Sequence, residues 1–341
     1  MPAPLTLSVI IPTLGRPTLS RTIRSLLALN EAVPLEIIVV GRVHTPSVAA
    51  DLEALCAANN HLRHLAVEFP TGDSSRKKNA GAAAAHGALL GFLDDDVVAP
   101  PDWAARITAP FTDPSVGLVS GPSLIPDDLN RFGRWAGLAL ASRAAGYVMH
   151  RYRAGDRAAF AISWSRVIGC NAVYRRDAFE QLGGFDPGFY PGEELLAAYR
   201  TQQNGQGLRF VPGAAVWHYP RQSPGRFWRQ IWGYGATRIR LFRAGAPWEL
   251  TTLLPGLAVA GLVLLLPLAL TAPWARWTLA LAFGAYILGA LLAAAEMAWK
   301  TRRPDDLLLA ALIPFMHLSY GLAQWHELLR PNQDLGVRLP R

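Results

Sequence analysis

The 341-residue chain is poor in cysteine, with only Cys56 and Cys170. Two cysteines so far apart provide neither a disulfide framework nor the spacing of a metal site, so we expect a reducing compartment for the soluble part. The pattern of a signal peptide is also missing, because the apolar run at residues 5–11 is short and no basic residue precedes it.

Charged residues are absent from three stretches near the C-terminus, at residues 251–275, 277–295 and 307–325. Each is close to the ~20 residues that a helix needs to cross a bilayer. Tryptophans stand at the ends of these stretches, as interfacial aromatics do. The sequence therefore predicts three transmembrane helices, and Pro314 and His317 leave open a re-entrant course for the third.

Basic residues outnumber acidic ones by 33 to 25, and their positions predict an orientation. Lys300, Arg302 and Arg303 lie between the second and third uncharged stretches, so that loop should be cytoplasmic. Residues 1–245 then form a cytoplasmic domain, residues 246–330 a domain in the inner membrane and residues 331–341 a tail. Such a chain should face anionic lipid or a phosphorylated substrate rather than nucleic acid.

Strand-like and helix-like segments alternate over the first 120 residues. The predicted strands are residues 7–13, 35–40, 62–69, 89–93 and 116–120, and the predicted helices between them are 18–29, 47–58 and 74–88. This alternation predicts an α/β fold with a doubly wound, mostly parallel sheet. A later strand is predicted at residues 208–217, directly before His218. Ligands of such sheets bind at the carboxyl ends of the strands.

Three consecutive carboxylates, Asp94, Asp95 and Asp96, end one apolar strand. They repel one another, and they are too costly to bury unpaired. A divalent cation makes such a cluster tolerable, and Mg²⁺ or Mn²⁺ accepts carboxylate and phosphate oxygens together. The triplet therefore indicates a metal site for a phosphorylated ligand. A solvated acidic turn before the next helix is the alternative.

Five short motifs follow one another in order between residues 6 and 243. They are SVIIPT at 8–13, EIIVV at 36–40, RKKNAG at 76–81, FLDDD at 92–96 followed by PDW at 101–103, and YRRDAF at 174–179 followed by GGFD at 183–186. In these motifs the chain resembles the family 2 glycosyltransferases, inverting enzymes of the GT-A fold that use nucleotide sugars. With QIWGYG at 230–235, the uncharged stretches resemble membrane-bound members that build exopolysaccharide or lipid-linked oligosaccharide.

The resemblance implies transfer of a sugar from a nucleotide-diphosphate donor to a hydroxyl of a lipid-linked or membrane-associated glycan, with Mg²⁺ or Mn²⁺. Asp96 is expected to hold the metal ion together with Asp94, and Asp95 is expected to be replaceable. The residues expected at the nucleotide sugar are Pro12, Thr13, Arg16, Asp73, Arg76, Asn79, Asp94 and Asp95. Arg76, Lys77 or Lys78 is expected to bind phosphate from the start of its helix, and a solvated basic cluster is the alternative.

Two positions depart from the family pattern. Residues 41–44 read GRVH where the family has Asp-Asp-Gly-Ser, so base recognition should use Asp73 or backbone groups. Glu193–Glu194 stands where the family has Glu-Asp, which makes Glu194 the expected general base and Glu193 its reserve. A purely structural role in the first turn of a helix is the alternative for this pair.

A basic stretch with interleaved aromatic residues precedes the uncharged segments. Such a pattern also occurs in nucleic-acid binders, but beside membrane spans it better suits a lipid or donor diphosphate. The residues expected at the acceptor or diphosphate are His218, Arg221, Gln230 and Trp232. A basic amphipathic piece at residues 132–149 is either a surface helix on the membrane or an ordinary half-buried helix.

Three functions remain open on these grounds. The first is the inverting transferase with a carboxylate base. The second is a polyprenyl-phosphate monosaccharide synthase, whose anionic acceptor needs no base. The third is a non-catalytic membrane scaffold, supported only by the missing acid after the second strand.

Overall fold

A computed structural model describes residues 6–29, 33–69 and 74–330. Its contacts divide the chain into two units. The first comprises Met1–Pro126 and His150–Tyr219, and the second comprises Asp127–Met149 and Pro220–Arg341. The second unit thus includes residues on the N-terminal side of position 245, where the sequence places its domain boundary. That boundary stays a prediction.

The first unit is built on an eight-stranded sheet beside a small three-stranded one. Its strands are β1 Leu7–Pro12, β2 Leu35–Val40, β3 Leu62–Leu65, β4 Leu89–Leu93, β5 Val97–Val98, β6 Val116–Ser120, β7 Ser123–Leu124, β8 Phe160–Ala161, β9 Asn171–Arg175, β10 Gly207–Phe210 and β11 Val216–His218. The large sheet has the order β3-β2-β1-β4-β9-β6-β10-β8, and the small one β5-β11-β7. Only β9 and β8 run antiparallel to their neighbours in the large sheet. The predicted α/β fold with a mostly parallel sheet is confirmed.

Helices cover this sheet because its central strands are apolar on both faces. They are α1 Leu19–Leu27, α2 Pro46–Ala58, α3 Ser74–Ala84, α4 Trp103–Thr108, α6 Arg176–Gln181 and α7 Glu193–Gln203, while α5, Arg131–Ala141, belongs to the second unit. All five residues of β4 are buried. A methyl group on Gly81 of α3 would lie 2.4 Å from Ile10 Cγ2. The glycine therefore lets α3 lie directly against β1.

The predicted late strand at residues 208–217 is wrong, because the chain forms two strands there. Pro212 lacks the N–H that a sheet ladder requires, and Gly213 adds a second interruption. β10 therefore ends at Phe210 in the large sheet, and β11 joins the small sheet. In that sheet His218 pairs with Val97, directly after the Asp triplet.

The second unit is helical. Its helices are α5 Arg131–Ala141, α8 Pro224–Arg243, α9 Leu250–Leu268, α10 Pro273–Thr301 and α11 Leu309–Leu329. Three segments are long and apolar enough to cross a membrane: Leu250–Leu268, Pro273–Thr301 and Pro304–Leu329, with mean hydropathy of 2.1, 2.0 and 1.5. α11 continues through Pro314 without a break. The predicted number of apolar helices is confirmed.

A buried carboxylate, Asp306, connects elements of this second unit. Its side chain is fully buried and accepts hydrogen bonds from Thr301 Oγ1 at 2.6 Å and Trp135 Nε1 at 3.1 Å. Arg134 completes the cluster with an ion pair to the same carboxylate. The predicted amphipathic piece ends its α-helix at Ala141, and seven of the eleven residues of α5 are buried.

Candidate active site

Asp95 is the most firmly held member of the acidic triplet. It is buried, and its Oδ2 accepts hydrogen bonds from Thr13 Oγ1 at 2.7 Å and from the backbone N–H of Leu14 at 3.3 Å. Burial raises the pKa of the Asp95 carboxyl, and Arg16 and Thr13 oppose that rise. Asp95 thus fixes the turn that follows β1, which argues against the expectation that it is replaceable.

Asp96 and Asp94 form the outer part of the cluster. Arg16 donates to Asp96 Oδ2 at 2.7 Å. His218 Nε2 lies 3.1 Å from Asp96 Oδ1 and 3.8 Å from Asp94 Oδ2. Burial lowers the pKa of His218, but Cys170 and Asp96 outweigh it and raise that pKa well above its ordinary value. The structure thus places His218 beside the acidic triplet. The sequence predicted a role at the acceptor or diphosphate but not this contact.

Cys170 also reaches this cluster, which the sequence did not predict. β9 pairs antiparallel with β4, and Asn171 stands opposite Leu93, so the residues just beyond this pair are Cys170 and Asp94. One potential ligand atom from each of Asp94, Cys170 and His218 lies within 4.8 Å of the other two. Carboxylate, thiolate and imidazole are all ligands of divalent cations, so the residues fit a metal ion.

The end of β2 explains the first departure from the family pattern. Gly41 has a φ of 131°, and a methyl group there would lie 2.3 Å from the carbonyl oxygen of Thr13. Any larger residue, an aspartate included, would collide with that backbone. Lys77 is buried nearby, and its Nζ donates to the same Thr13 oxygen at 2.7 Å. Asp73, the other predicted contact to the base, lies outside the described residues.

Lys78 has a different partner from the one predicted. It is buried, and its Nζ lies 3.0 Å from Glu193 Oε1 and 5.2 Å from the ring centroid of Phe185. Burial lowers the pKa of Lys78, but Glu193 and Glu194 raise it more, so the ammonium stays charged. Lys78 therefore neutralises Glu193, and its contact with phosphate stays a prediction.

The other two predicted residues of α3 differ from each other. Arg76 is exposed at the start of the helix. Asn79 instead holds the glycine turn that follows α6: its Nδ2 donates to the carbonyl of Phe185 at 2.8 Å, and its Oδ1 accepts from the N–H of Phe185 at 2.9 Å. Asn79 thus anchors the backbone on the N-terminal side of α7, and its contact with a nucleotide sugar stays a prediction.

Glu193 and Glu194 open α7 after Gly192, which has a left-handed φ of 104°. Burial raises the pKa of Glu193, but Lys78 outweighs it and the pKa is lowered. Glu194 lies against Gly169, where a methyl group would be 2.8 Å from its Cγ. Burial, followed by the charge of Glu193, raises the pKa of Glu194 to about 7. A partly exposed carboxylate that titrates near neutral pH suits general base catalysis.

The buried pair of Lys78 and Glu193 provides a test of stability. We expect Lys78→Met to reduce the free energy of unfolding by ~3–5 kcal/mol, because it leaves the Glu193 charge buried without a partner. Arg42→Met is the matched control, since its ion pair with Glu68 leaves both side chains 58% exposed. Urea unfolding of the purified protein measures both. Equal losses in the two variants would contradict the described contact.

The remaining predicted residues, Arg221, Gln230 and Trp232, belong to the second unit. On α8, Gln230 Nε2 donates to the hydroxyl of Tyr234 at 2.9 Å, and the ring of Trp232 lies 5.2 Å from that of His326. Their role toward an acceptor or diphosphate stays a prediction. Pro12 ends β1 beside Thr13, at the same edge of the sheet as the acidic triplet.

The fold and the position of the acids at a strand end define a protein of the GT-A class. The chain superposes with a TM-score of 0.61 on the mannosyltransferase PcManGT from Pyrobaculum calidifontis, solved in complex with GDP-Man and Mn²⁺. The two are 20% identical, and the match covers 96% of this chain and 88% of that one. Residues 2–234 match the glycosyltransferase like family 2, and the chain belongs to this family.

Two curated relatives share part of the sequence. The O-antigen biosynthesis protein RfbC of Myxococcus xanthus is 31% identical over 215 residues, which are 60% of this chain and 16% of that protein. The succinoglycan biosynthesis protein ExoA of Rhizobium meliloti is 29% identical over 169 residues, 47% of this chain and 48% of its own. The matched segments therefore span less than half the length of either relative.

Proposed function

We propose that this protein is an inverting glycosyltransferase of polysaccharide biosynthesis. It moves a sugar from a nucleoside diphosphate sugar to a hydroxyl of a lipid-linked or membrane-associated glycan. The observation that carries the proposal is Glu194, a carboxylate with a pKa near 7 in the same unit as the acidic cluster. Family membership and the names of the relatives support the reaction class and the polysaccharide product.

The acidic cluster serves the leaving group. Asp94 and Asp96 would hold a divalent cation, Mg²⁺ or Mn²⁺, which when bound neutralises charge on the departing diphosphate. Asp95 keeps the β1 turn and Arg16 in place through its contacts to Thr13 and Leu14. Arg16 adds a positive charge at the same edge, where the developing diphosphate charge needs it.

Glu194 serves the acceptor. Its carboxylate takes the proton of the attacking hydroxyl while the bond between the anomeric carbon and the diphosphate breaks. Glu193 cannot share this role, because Lys78 holds it in a buried ion pair. Glu194 is one methylene longer than the aspartate of the family pattern, and Gly169, where a methyl group would lie 2.8 Å from Glu194 Cγ, leaves room for the longer side chain.

The three apolar helices support a location in the inner membrane, with the first unit on the cytoplasmic side. Lys300 lies in the last turn of the second helix, and Arg302 and Arg303 lie between the second and third helices, where basic residues favour the cytoplasm. In this proposal the nucleotide sugar is supplied in the cytoplasm, so the donor and the first unit are in the same compartment.

The orientation has a direct test, because Cys170 is buried and Cys56 is partly exposed. We expect a membrane-impermeant maleimide to label Cys56 in inside-out vesicles and to leave it unlabelled in right-side-out vesicles. Cys56→Ser is the control for labelling of other sites. Labelling confined to right-side-out vesicles would contradict the proposed orientation.

The function itself is tested with the full chain purified in detergent. We expect a panel of nucleoside diphosphates, each with Mg²⁺ or Mn²⁺, to raise the melting temperature for at least one nucleotide and only with the cation. The same nucleotide sugar should then release its nucleoside diphosphate in the presence of membrane lipid extract. If no nucleotide raises the melting temperature with either cation, the result would favour a non-catalytic scaffold over a transferase.

A further inference from the structure

We propose that Asp94, Cys170 and His218 form a three-ligand site that prefers a thiophilic divalent cation of the Zn²⁺ or Co²⁺ type over Mg²⁺. The inference rests on the proposed function in one respect, since the site would share Asp94 with the cation that serves the donor diphosphate. It adds a thiolate ligand, and with it a different metal preference, to a cluster that otherwise offers mainly oxygen.

Three separate segments deliver the three ligands, and regular structure holds each of them. Asp94 follows β4, Cys170 precedes β9, and the antiparallel pairing of these strands sets the two side by side. His218 ends β11, whose pairing with β5 returns it to the triplet. The potential ligand atoms lie within 4.8 Å of one another. Because Asp94 and Cys170 directly adjoin paired strands and His218 ends one, little reorganisation is required to close around a cation.

The burial of the three residues suits such a site. Cys170 is only 6% exposed, and the side chains of His218 and Asp94 are 19% and 39% exposed. The thiolate side of the cluster is therefore closed, and Asp94 stands on the open side. Three protein ligands with one accessible position are the arrangement of catalytic rather than structural zinc sites. The open position would accept an oxygen of the donor diphosphate.

The donor set decides the choice of metal. Mg²⁺ binds oxygen ligands and has little affinity for thiolate, whereas Zn²⁺ and Co²⁺ bind sulfur, nitrogen and oxygen together. On binding, the Cys170 thiol and the ligating nitrogen of His218 each give up a proton to solvent, and metal–sulfur and metal–nitrogen bonds form. Asp96 keeps its hydrogen bond from Arg16, which holds it beside His218.

Cobalt provides the probe, because a thiolate bound to Co²⁺ gives a charge-transfer band in the near ultraviolet that oxygen and nitrogen ligands do not give. The experiment uses the full chain in detergent, carrying Cys56→Ser so that Cys170 is the remaining thiol. We expect the band to saturate at one Co²⁺ per chain and Zn²⁺ to remove it by displacement. Mg²⁺, which competes for Asp94 through oxygen ligands, should reduce the band only in large excess over Co²⁺.

Cys170→Ser in the same background should abolish the band and weaken Zn²⁺ binding by at least about 100-fold, beyond the loss typical of an outer-shell change. Cys170→Ser must first show the circular dichroism and melting of its parent. Tight Co²⁺ binding by the Cys56→Ser protein without a thiolate band would overturn the proposal, and that outcome does not depend on the Cys170 variant. If the protein transfers sugar but shows no thiolate band, only the proposed metal site is refuted. If it shows the band but transfers no sugar with any of the metals, only the proposed function is refuted.

Discussion

Replacing Asp94 with asparagine is expected to lower kcat/KM by about 10³-fold, or about 4 kcal/mol, the order of charge stabilisation that a bound cation contributes. Asp94 is the accessible acid of the triplet, and its contact with His218, at 3.8 Å, is longer than the bonds that Asp95 accepts from Thr13 and Leu14. Asparagine keeps its size and removes its charge. The loss should therefore appear in activity and cation affinity, with little change in stability.

Asp102→Asn is the matched control for this experiment. Asp102 lies eight positions later in the sequence and forms an exposed ion pair with Arg106 at 2.6 Å. Such a pair contributes about 0–1 kcal/mol to stability, and we expect unchanged kinetics. If Asp94→Asn kept the wild-type rate and cation dependence, the acidic cluster would not be the cation site of the reaction.

The second large effect is expected from Glu194→Gln, which should lower kcat by about 10²–10⁴-fold, the range for loss of a positioned general base. KM for the donor should change little, because the proposed role of Glu194 concerns the acceptor hydroxyl. The glutamine keeps the packing against Gly169. Lys78 and Glu193 remain paired in the variant, so the fold should be retained.

Glu180→Gln serves as the control, since Glu180 on α6 is 63% exposed. Nearly unchanged transfer in Glu194→Gln would rule against a hydroxyl acceptor activated by this residue. It would favour the polyprenyl-phosphate synthase, whose acceptor is already an anion and requires no base.

The acids and the sheet were predictable from local patterns. An apolar run that ends in Asp94 has few places in an α/β fold other than the carboxyl end of a strand. Glu194 could be selected because it follows Glu193 at the start of a helix in the expected order of motifs. Both predictions rest on residues that are neighbours in the sequence.

Contacts between distant segments were not predictable in the same way. The place of Cys170 depends on the antiparallel pairing of β9 with β4, which no residue spacing reveals. Lys78 looks like a phosphate ligand in its basic motif until Glu193 is brought to 3.0 Å from it. Asp95 likewise looks dispensable in the triplet until its bonds from Thr13 and Leu14 show its structural role.

The dependence of kcat on pH tests the central claim most directly, because it reports the protonation state of the base. Glu194 accepts a proton only when it is ionised, so activity should be lost as the pH falls through its pKa of about 7. We predict that kcat rises about tenfold per pH unit up to about pH 7 and then levels off, and that this limb is absent in Glu194→Gln. A wild-type kcat that stays constant from about pH 5 to 8 would contradict the assignment of Glu194 as the base.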